Sequence, residues 1–226
     1  MSEIKSPHTT AKSSRTKKKI IEAFLTLFEK KKWDKISVKE ICVKADITRG
    51  TFYQYFTDIY EMMEEIESSI LNELTAEYNA IPKRSQTFIP PEQFDEKYDV
   101  NPPKSFLIWF DFCSKHKLAI NSLLDRNNGD PYFVKKLKTL INKNLNYIMN
   151  CDGLPNDNLR VHFVKVLTEL HFIAVQEWLG DEDSNISVNE IVNLLNVARI
   201  GGSYLSNRTL KLKNKEKQEE GNKENI

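Results

Sequence analysis

The sequence predicts an all-α fold, and three observations support that prediction. Apolar residues recur every three or four positions over most of the chain, which is the spacing of one face of an α-helix. No segment shows the strict alternation of apolar and polar residues that is typical of a half-buried strand. The 226 residues include only 7 glycines and 8 prolines, which are few for an all-β chain rich in tight turns.

The first 60 residues predict several short helices. In the first helix, Ile20, Phe24 and Phe28 follow one another at four-residue spacing and form one apolar face. Further along, Ser37 and Glu40 have the S-x-x-E spacing of a capping box, in which each side chain bonds the other residue's backbone N–H. A second short helix is therefore expected to begin directly after Ser37.

A tight break separates this second helix from a third one. Asp46 tolerates the left-handed backbone of a tight turn, and Thr48 is a good N-cap for the helix that follows. Phe52 and Phe56 lie four residues apart and predict the buried face of that helix. Two short helices and a brief break within residues 37–56 have helix-turn-helix spacing.

The remainder of the chain predicts a larger helical domain. A fourth, longer helix is expected to begin after residue 57. Five of the eight prolines lie in residues 81–104, which predicts a Pro-rich irregular loop. Further helical patterns cover about 105–126, 131–149, 157–180 and 187–204. We therefore predict a helix-turn-helix domain at 13–60, a second helical domain at 61–205 and a disordered charged tail at 206–226.

The net charge of +1 hides an uneven distribution of charged residues. Residues 1–60 hold 13 Lys and Arg against 7 Asp and Glu, whereas the rest of the chain holds 20 against 25. A basic N-terminal block on a mildly acidic body suggests that the front of the molecule meets a polyanion such as nucleic acid.

The helix-turn-helix region also carries a specific sequence pattern. Its two runs, in register across the break, are Ile36-Ser37-Val38-Lys39-Glu40-Ile41 and Asp46-Ile47-Thr48-Arg49-Gly50-Thr51-Phe52-Tyr53-Gln54-Tyr55-Phe56. With these runs, residues 16–66 resemble the N-terminal domain of TetR/AcrR-type transcriptional regulators. Two positions depart from the family's pattern: Asp46 stands where glycine is common, and Ile59 stands where many members carry a phosphate-binding lysine.

The resemblance implies a function for both domains. It implies a homodimer that binds a palindromic operator in double-stranded DNA, usually as a repressor. It also implies that residues 61–205 are a regulatory and dimerisation domain, where a small-molecule effector, here expected to be apolar, releases the operator. The last two helices are then expected to form the dimer surface, with Ile173, Trp178, Ile191, Leu194, Leu195 and Ala198.

The predicted DNA contacts lie mainly on the face of the third helix opposite its phenylalanines. Arg, Thr and Tyr side chains can contact base edges and phosphates, and a glycine lets the backbone approach closely. The predicted contacts are Lys17, Lys18, Ser37, Lys39, Thr48, Arg49, Gly50, Thr51, Tyr53 and Tyr55. The two tyrosines have the alternative of packing in the core. The basic cluster Arg15, Lys17, Lys18 and Lys19 is expected to replace the missing lysine, whereas Lys30–Lys32 suit a helix C-terminus.

Aromatic and polar residues recur at helical spacing in the second domain. By analogy with the family, we expect an effector cavity lined by Trp109, Cys113, Phe163, Leu167 and His171. The alternative is that these side chains fill a core between helices of a bundle.

Several functional classes find no support in the sequence. No G-x-G-x-x-G, P-loop, H-E-x-x-H or G-x-S-x-G pattern occurs, so we expect no enzyme and no cofactor. Three cysteines at unrelated spacings fit free thiols rather than a metal site. With no membrane-spanning stretch and no secretion signal, we expect a cytoplasmic protein without a membrane partner. Two alternatives stay open: a helical DNA-binding regulator controlled by a protein partner, and a non-DNA-binding helical adaptor.

Overall fold

The described part of the chain is mainly α-helical, as predicted. The computed structural model describes residues 7–84, 89–181 and 185–223, and within those ranges it has ten α-helices and no strand. The helices are α1 Pro7–Phe28, α2 Val38–Ala45, α3 Arg49–Tyr53, α4 Ile59–Asn79, α5 Phe94–Lys97, α6 Lys104–Lys115, α7 Lys117–Leu124, α8 Pro131–Cys151, α9 Asn158–Gly180 and α10 Val188–Lys223. Short 3-10 turns occupy Trp33–Lys35 and Pro91–Gln93. No helix in the described ranges is long and apolar enough to cross a bilayer.

The helices pack into two compact units. The first unit contains the chain up to Leu74 together with His116–Lys135, and the second contains Thr75–Lys115 together with the chain from Lys136 onward. The units are defined by packing rather than by sequence motifs, so the domain limits drawn from the sequence stay predictions.

The first unit has a hydrophobic core built mainly from α1 to α4 and α7. The Ser122 hydroxyl on α7 donates to the Leu25 carbonyl of α1 at 3.3 Å and joins those two helices. The buried side chains include Ile20, Phe24, Phe28, Ile41, Ala45, Phe52, Phe56, Met62, Ile66, Ile120 and Leu123. Burial of this many apolar side chains supplies the main driving force that holds the short helices α2 and α3 in place.

The second unit is organised around a buried ion pair as well as an apolar core. The Arg199 guanidinium on α10 donates to the Asp152 carboxylate, and both side chains are 1% exposed. Arg199 also donates to the backbone carbonyls of Asp99 at 2.7 Å and Asn101 at 2.9 Å. Because this buried cation of α10 bonds two other segments, it holds α10, the end of α8 and the segment before α6 together.

The Pro-rich segment is more ordered than an irregular loop. It contains the turn Pro91–Gln93 and the short helix α5, and residues 85–88 lie outside the described ranges. The Phe94 ring stacks on Tyr98 at 4.6 Å and meets the edge of Tyr204 on α10 at 5.2 Å. These aromatic contacts with a distant helix account for the local order, because they depend on tertiary packing.

The predicted helix over 105–126 is two helices in the structure. The chain leaves helical geometry at His116, whose backbone angles are φ −106° and ψ 26°, and α7 then begins at Lys117. The His116 ring nitrogen Nε2 lies 3.1 Å from the Glu73 carboxylate on α4. The break between α6 and α7 coincides with this contact between distant parts of the chain. The apolar spacing of the sequence continues through the break and therefore does not reveal it.

The prediction of a disordered tail at 206–226 is wrong for residues 206–223, which continue α10. Asn207 is buried, and its side-chain amide donates to the Pro91 carbonyl at 3.4 Å. The Lys211 ammonium lies 3.6 Å from the Asp95 carboxylate. Lys, Arg, Gln and Glu are also good helix formers, so a tertiary anchor at its start lets the polar segment continue the helix. Residues 224–226 lie outside the described ranges.

Candidate nucleic-acid interface and effector site

The start of α2 is fixed by the predicted capping box. The Glu40 N–H donates to Ser37 Oγ at 3.3 Å, and the Ser37 N–H donates to the Glu40 carboxylate at 2.9 Å. The Lys31 ammonium binds the same carboxylate at 2.6 Å and, together with the Ser37 donors, lowers the pKa of Glu40 to about 2. The Ser37 hydroxyl therefore helps to begin the helix, besides its predicted place among the DNA contacts.

The turn between α2 and α3 uses the left-handed conformation that the sequence predicts at Asp46. Its φ of 51° is the one positive value for a non-glycine residue in the described part of the chain. The Asp46 N–H donates to the Val43 carbonyl at 3.2 Å, and the Ile47 N–H donates to the Cys42 carbonyl at 3.0 Å. These bonds close the end of α2 and set the direction of α3.

The inner face of α3 is anchored by aromatic packing and by its cap. The Thr48 hydroxyl accepts from the Thr51 N–H at 3.1 Å, and the two threonine hydroxyls lie 2.9 Å apart. Phe52 is 0% and Phe56 1% exposed, and their ring centres are 5.8 Å apart. Both threonines were predicted as DNA contacts, and in this structure their side chains also stabilise the first turn of the helix.

The outer face of α3 is open. Arg49 and Gly50 are exposed, and Tyr53 is 56% exposed with its ring edge against Phe52. A methyl group added at Gly50 would meet only the Thr48 hydroxyl, at an ordinary 3.7 Å, so internal packing does not require glycine there. Tyr55 is half-buried. This face therefore presents a cation, bare backbone and a phenol side by side.

The basic residues near α3 differ in how they are held. The Lys17 ammonium lies 2.6 Å from the Glu65 carboxylate, whereas Lys18 is exposed and 3.8 Å from Glu22. Lys19 lies 3.9 Å from Asp46, at the turn before α3. Lys39 and Arg15 are exposed. In the predicted cluster, Lys17 is thus in a close ion pair, Lys18 and Lys19 are in long ones, and Arg15 is exposed.

Two exposed residues of the first unit were missed by the sequence reasoning. Tyr60 is 61% exposed in the first turn of α4, with its ring edge against Trp33 at 5.2 Å. Lys44 is exposed in the last turn of α2. The signal for Tyr60 was a polar-tipped aromatic two residues after Asp58, whose carboxylate accepts from the N–H groups of residues 60 and 61 at 2.8 Å.

Four of the five predicted effector residues are buried in the second unit. Trp109, Cys113 and Leu167 are 0% exposed and His171 is 2% exposed. The His171 ring meets the edge of Phe106 at 4.6 Å, which brings α9 against α6. Burial also raises the pKa of the Cys113 thiol well above its usual value and lowers that of His171 to about 4.

The fifth predicted residue, Phe163, has a different environment. It is half-buried, and its ring occupies the notch left by the missing side chain of Gly202 on α10. A methyl group at Gly202 would come within 2.1 Å of that ring. The structure therefore gives Phe163 a role in packing α9 on α10, and its predicted role in effector binding stays untested.

Fold and site together define a class. A capped helix, a left-handed turn and a second short helix with an aromatic inner face and a basic outer face form a helix-turn-helix DNA-binding domain. Residues 20–66 match the family model of bacterial regulatory proteins of the tetR family. The helix-turn-helix domain of this chain is thus a TetR-family domain.

Solved structures extend the likeness to the whole fold. A TetR transcriptional regulator from Streptococcus agalactiae 2603V is 16% identical, with a TM-score of 0.53 over 84% of this chain and 96% of that chain. A tetR-family regulator from Streptomyces coelicolor is 16% identical, with a TM-score of 0.56 over 88% and 86%. No curated protein sequence matches significantly. The chain has the fold of TetR-family regulators, which with the family match supports a transcriptional regulator.

Proposed function

We propose that this protein is a repressor that binds a palindromic DNA operator as a homodimer and leaves it when a small ligand binds the second unit. The observation that carries the DNA-binding part is the two-sided character of α3. Phe52 on its inner face and Phe56 just after the helix are buried, while its outer face exposes Arg49, Gly50 and Tyr53. A helix fixed on one side and polar on the other suits the major groove.

Each outer residue has a distinct chemical capacity toward DNA. The Arg49 guanidinium can donate two hydrogen bonds to a guanine edge, which is the commonest specific contact in the major groove. Gly50 lets the backbone of α3 come close to the duplex, because it presents no side chain there. Lys18, Lys39 and the Tyr60 hydroxyl are suited to phosphates, which position the protein without reading sequence.

The dimer surface that we propose comprises exposed apolar residues on α9 and α10. Leu194 is 63%, Val197 68% and Leu205 66% exposed on α10, and on α9 Val166 is 56% and Ile173 46% exposed. An exposed apolar set of this size on two helices is typical of an interface. Ile191 and Leu195, also named from the sequence for this surface, are 6% and 4% exposed and pack inside the protomer instead.

The effector part of the proposal concerns α4, α6 and α9. A ligand can release the operator only by binding more tightly to a dimer whose recognition helices are wrongly placed. α4 is one continuous helix, Ile59–Asn79, and contributes residues to both compact units. A ligand between α6 and α9 is therefore expected to act through the C-terminal turns of α4.

The test is selection of bound duplexes from a random DNA pool, using the full chain. We expect a two-fold symmetric sequence whose half-sites lie about 10 base pairs apart or at a multiple of that spacing. Arg49→Ala should weaken the enrichment and relax the selected sequence at one base pair, whereas Arg208→Ala, which removes an exposed arginine of the second unit, should not. Absence of any enriched sequence would contradict the DNA-binding proposal.

A further inference from the structure

Two polar atoms of α6 are buried without a hydrogen-bond partner. In the described part of the chain, neither Ser105 Oγ nor Trp109 Nε1 has one, and the residues are 4% and 0% exposed. Burial of an unsatisfied donor is costly, and the great majority of buried polar side-chain atoms in proteins are bonded. Two such atoms one helical turn apart therefore call for a hydrogen-bond partner that is not part of the protein.

These two side chains lie on the face of α6 that meets α9. Ser105 and Trp109 are four residues apart, and helical residues at that spacing share a face. The Trp109 ring lies 5.8 Å from Phe172 of α9, and the neighbouring Phe106 lies 4.6 Å from His171. Trp109 thus lies against the aromatic rings of α9, and Ser105 precedes it by one turn on the same side of α6.

His171 adds a third polar group to this aromatic layer. Its Nδ1 lies 2.7 Å from the Leu167 carbonyl, which can only accept, so Nδ1 carries the proton. In the neutral ring Nε2 is then a hydrogen-bond acceptor. Burial favours this neutral form, since it lowers the pKa of His171 to about 4. The layer therefore offers two donors and one acceptor, all uncharged.

We propose that Ser105, Trp109 and His171 form the polar contacts of a site between α6 and α9 for an uncharged aromatic compound that carries a carbonyl oxygen and an N–H or O–H group. The carbonyl would accept from Trp109 and Ser105, and the donor would bond His171 Nε2. A charged ligand would lose its hydration among these neutral groups without gaining a counter-ion. The inference rests on the proposed effector function and specifies its ligand chemistry.

The probes for this site are benzamide and 2-naphthamide, compared with compounds of similar shape but different polarity. The matched set is 2-naphthoate as the anion, 2-naphthylmethylamine as the cation and 2-methylnaphthalene as the apolar form. Calorimetry should show that 2-naphthamide binds about tenfold more tightly than each of the other three naphthalenes. In ¹⁵N spectra the Trp109 indole N–H should shift downfield, while those of Trp33 and Trp178 stay in place.

Two substitutions separate a binding role from a structural one. Ser105→Ala should weaken amide binding about 3- to 10-fold, the range of one neutral hydrogen bond, and leave the Tm of the unliganded protein unchanged or higher. Trp109→Phe keeps an aromatic ring, removes the donor and should also abolish the diagnostic indole signal. Ser114→Ala, at an exposed position of the same helix, is the matched control and should change neither quantity.

Failure of the site and failure of the proposed function give different results. Absence of amide binding at millimolar concentration, equal binding of all four naphthalenes, or a Tm that falls in Ser105→Ala would overturn the site. Operator release by other compounds, unaffected by Trp109→Phe, would overturn the site and leave the repressor proposal standing. Amide binding with the expected indole shift but without any change in operator affinity would support the site and contradict its effector role.

Discussion

The Lys17 ammonium is held between the Glu65 carboxylate, at 2.6 Å, and the face of the Phe56 ring, at 5.2 Å from its centre. One side chain of α1 thereby contacts both α4 and the aromatic anchor that follows α3. The pair is 35% and 44% exposed, so solvent screens it and its contribution to stability is small. Its larger consequence is electrostatic, because Glu65 neutralises a cation that was predicted to meet DNA.

Removal of that carboxylate is expected to strengthen DNA binding. Glu65→Gln leaves the side chain's size unchanged and frees Lys17 for a phosphate, so the slope of log affinity against log salt should steepen by about one unit. Lys17→Gln in the Glu65→Gln background should return the slope to its wild-type value, because it removes the cation that the first substitution frees. Glu64→Gln, which removes a neighbouring exposed charge, is the control. Equal slopes for Glu65→Gln and Glu64→Gln would mean that Lys17 makes no phosphate contact.

The recognition face can be tested without disturbing the fold. Arg49→Ala should cost about 1–3 kcal/mol of operator binding and relax specificity at one base pair. Gly50→Ala should raise stability by about 0.5–1 kcal/mol, because the site has room for a methyl group and alanine is the better helix former. The same change should weaken operator binding by keeping the backbone away from the duplex.

Gel-shift titration and thermal unfolding of the same samples measure both effects. Lys143→Ala, an exposed cation on α8 in the second unit, serves as the control for Arg49→Ala and should leave operator affinity unchanged. Loss of folding in Arg49→Ala, or full operator affinity in Gly50→Ala, would show that α3 presents a different face to DNA.

The dimer proposal leads to substitutions at exposed apolar positions of α10. Leu194→Glu and Val197→Glu should give folded monomers, since both side chains are more than 60% exposed in the protomer and a buried glutamate is costly in an interface. Val100→Glu changes an exposed valine outside α9 and α10 and should leave the dimer intact. Sedimentation velocity at micromolar concentration distinguishes the species, and an unchanged dimer in Leu194→Glu would refute the surface.

Local sequence patterns predicted the helix-turn-helix well. The capping box of Ser37, the left-handed turn at Asp46 and the inner pair Phe52 and Phe56 all follow from residues within a few positions of one another. Such features depend on short-range hydrogen bonds and on side-chain spacing, which a sequence displays directly. The structure confirms each of them.

Features that depend on distant contacts were not predictable in the same way. Lys17 binds Glu65, which lies 48 positions away in the sequence, and Phe163 of α9 packs against Gly202 of α10. The helical tail from residue 206 owes its start to Asn207 and the Pro-rich segment, whereas its composition alone suggested disorder. In each case a tertiary contact decides the outcome, and no local pattern reports the partner.

The buried histidine predicts a specific dependence of stability on pH. His171 has a pKa of about 4 in the folded protein because burial disfavours its charged form, whereas in the unfolded chain it titrates near 6.5. The unfolded state therefore binds more protons than the folded state between these values. The free energy of unfolding is therefore highest above pH 6.5, as far as His171 is concerned. It falls as the pH drops toward 4 and levels off below that, by about 3 kcal/mol in total.

The substitution His171→Asn isolates this effect, because its amide can still donate to the Leu167 carbonyl but does not titrate. Urea unfolding at several pH values between 7 and 4 should show that the difference in unfolding free energy between the wild type and His171→Asn narrows as the pH falls. If the curves for the wild type and His171→Asn stay parallel down to pH 4, the His171 ring takes up its proton as readily in the folded protein as in the unfolded chain.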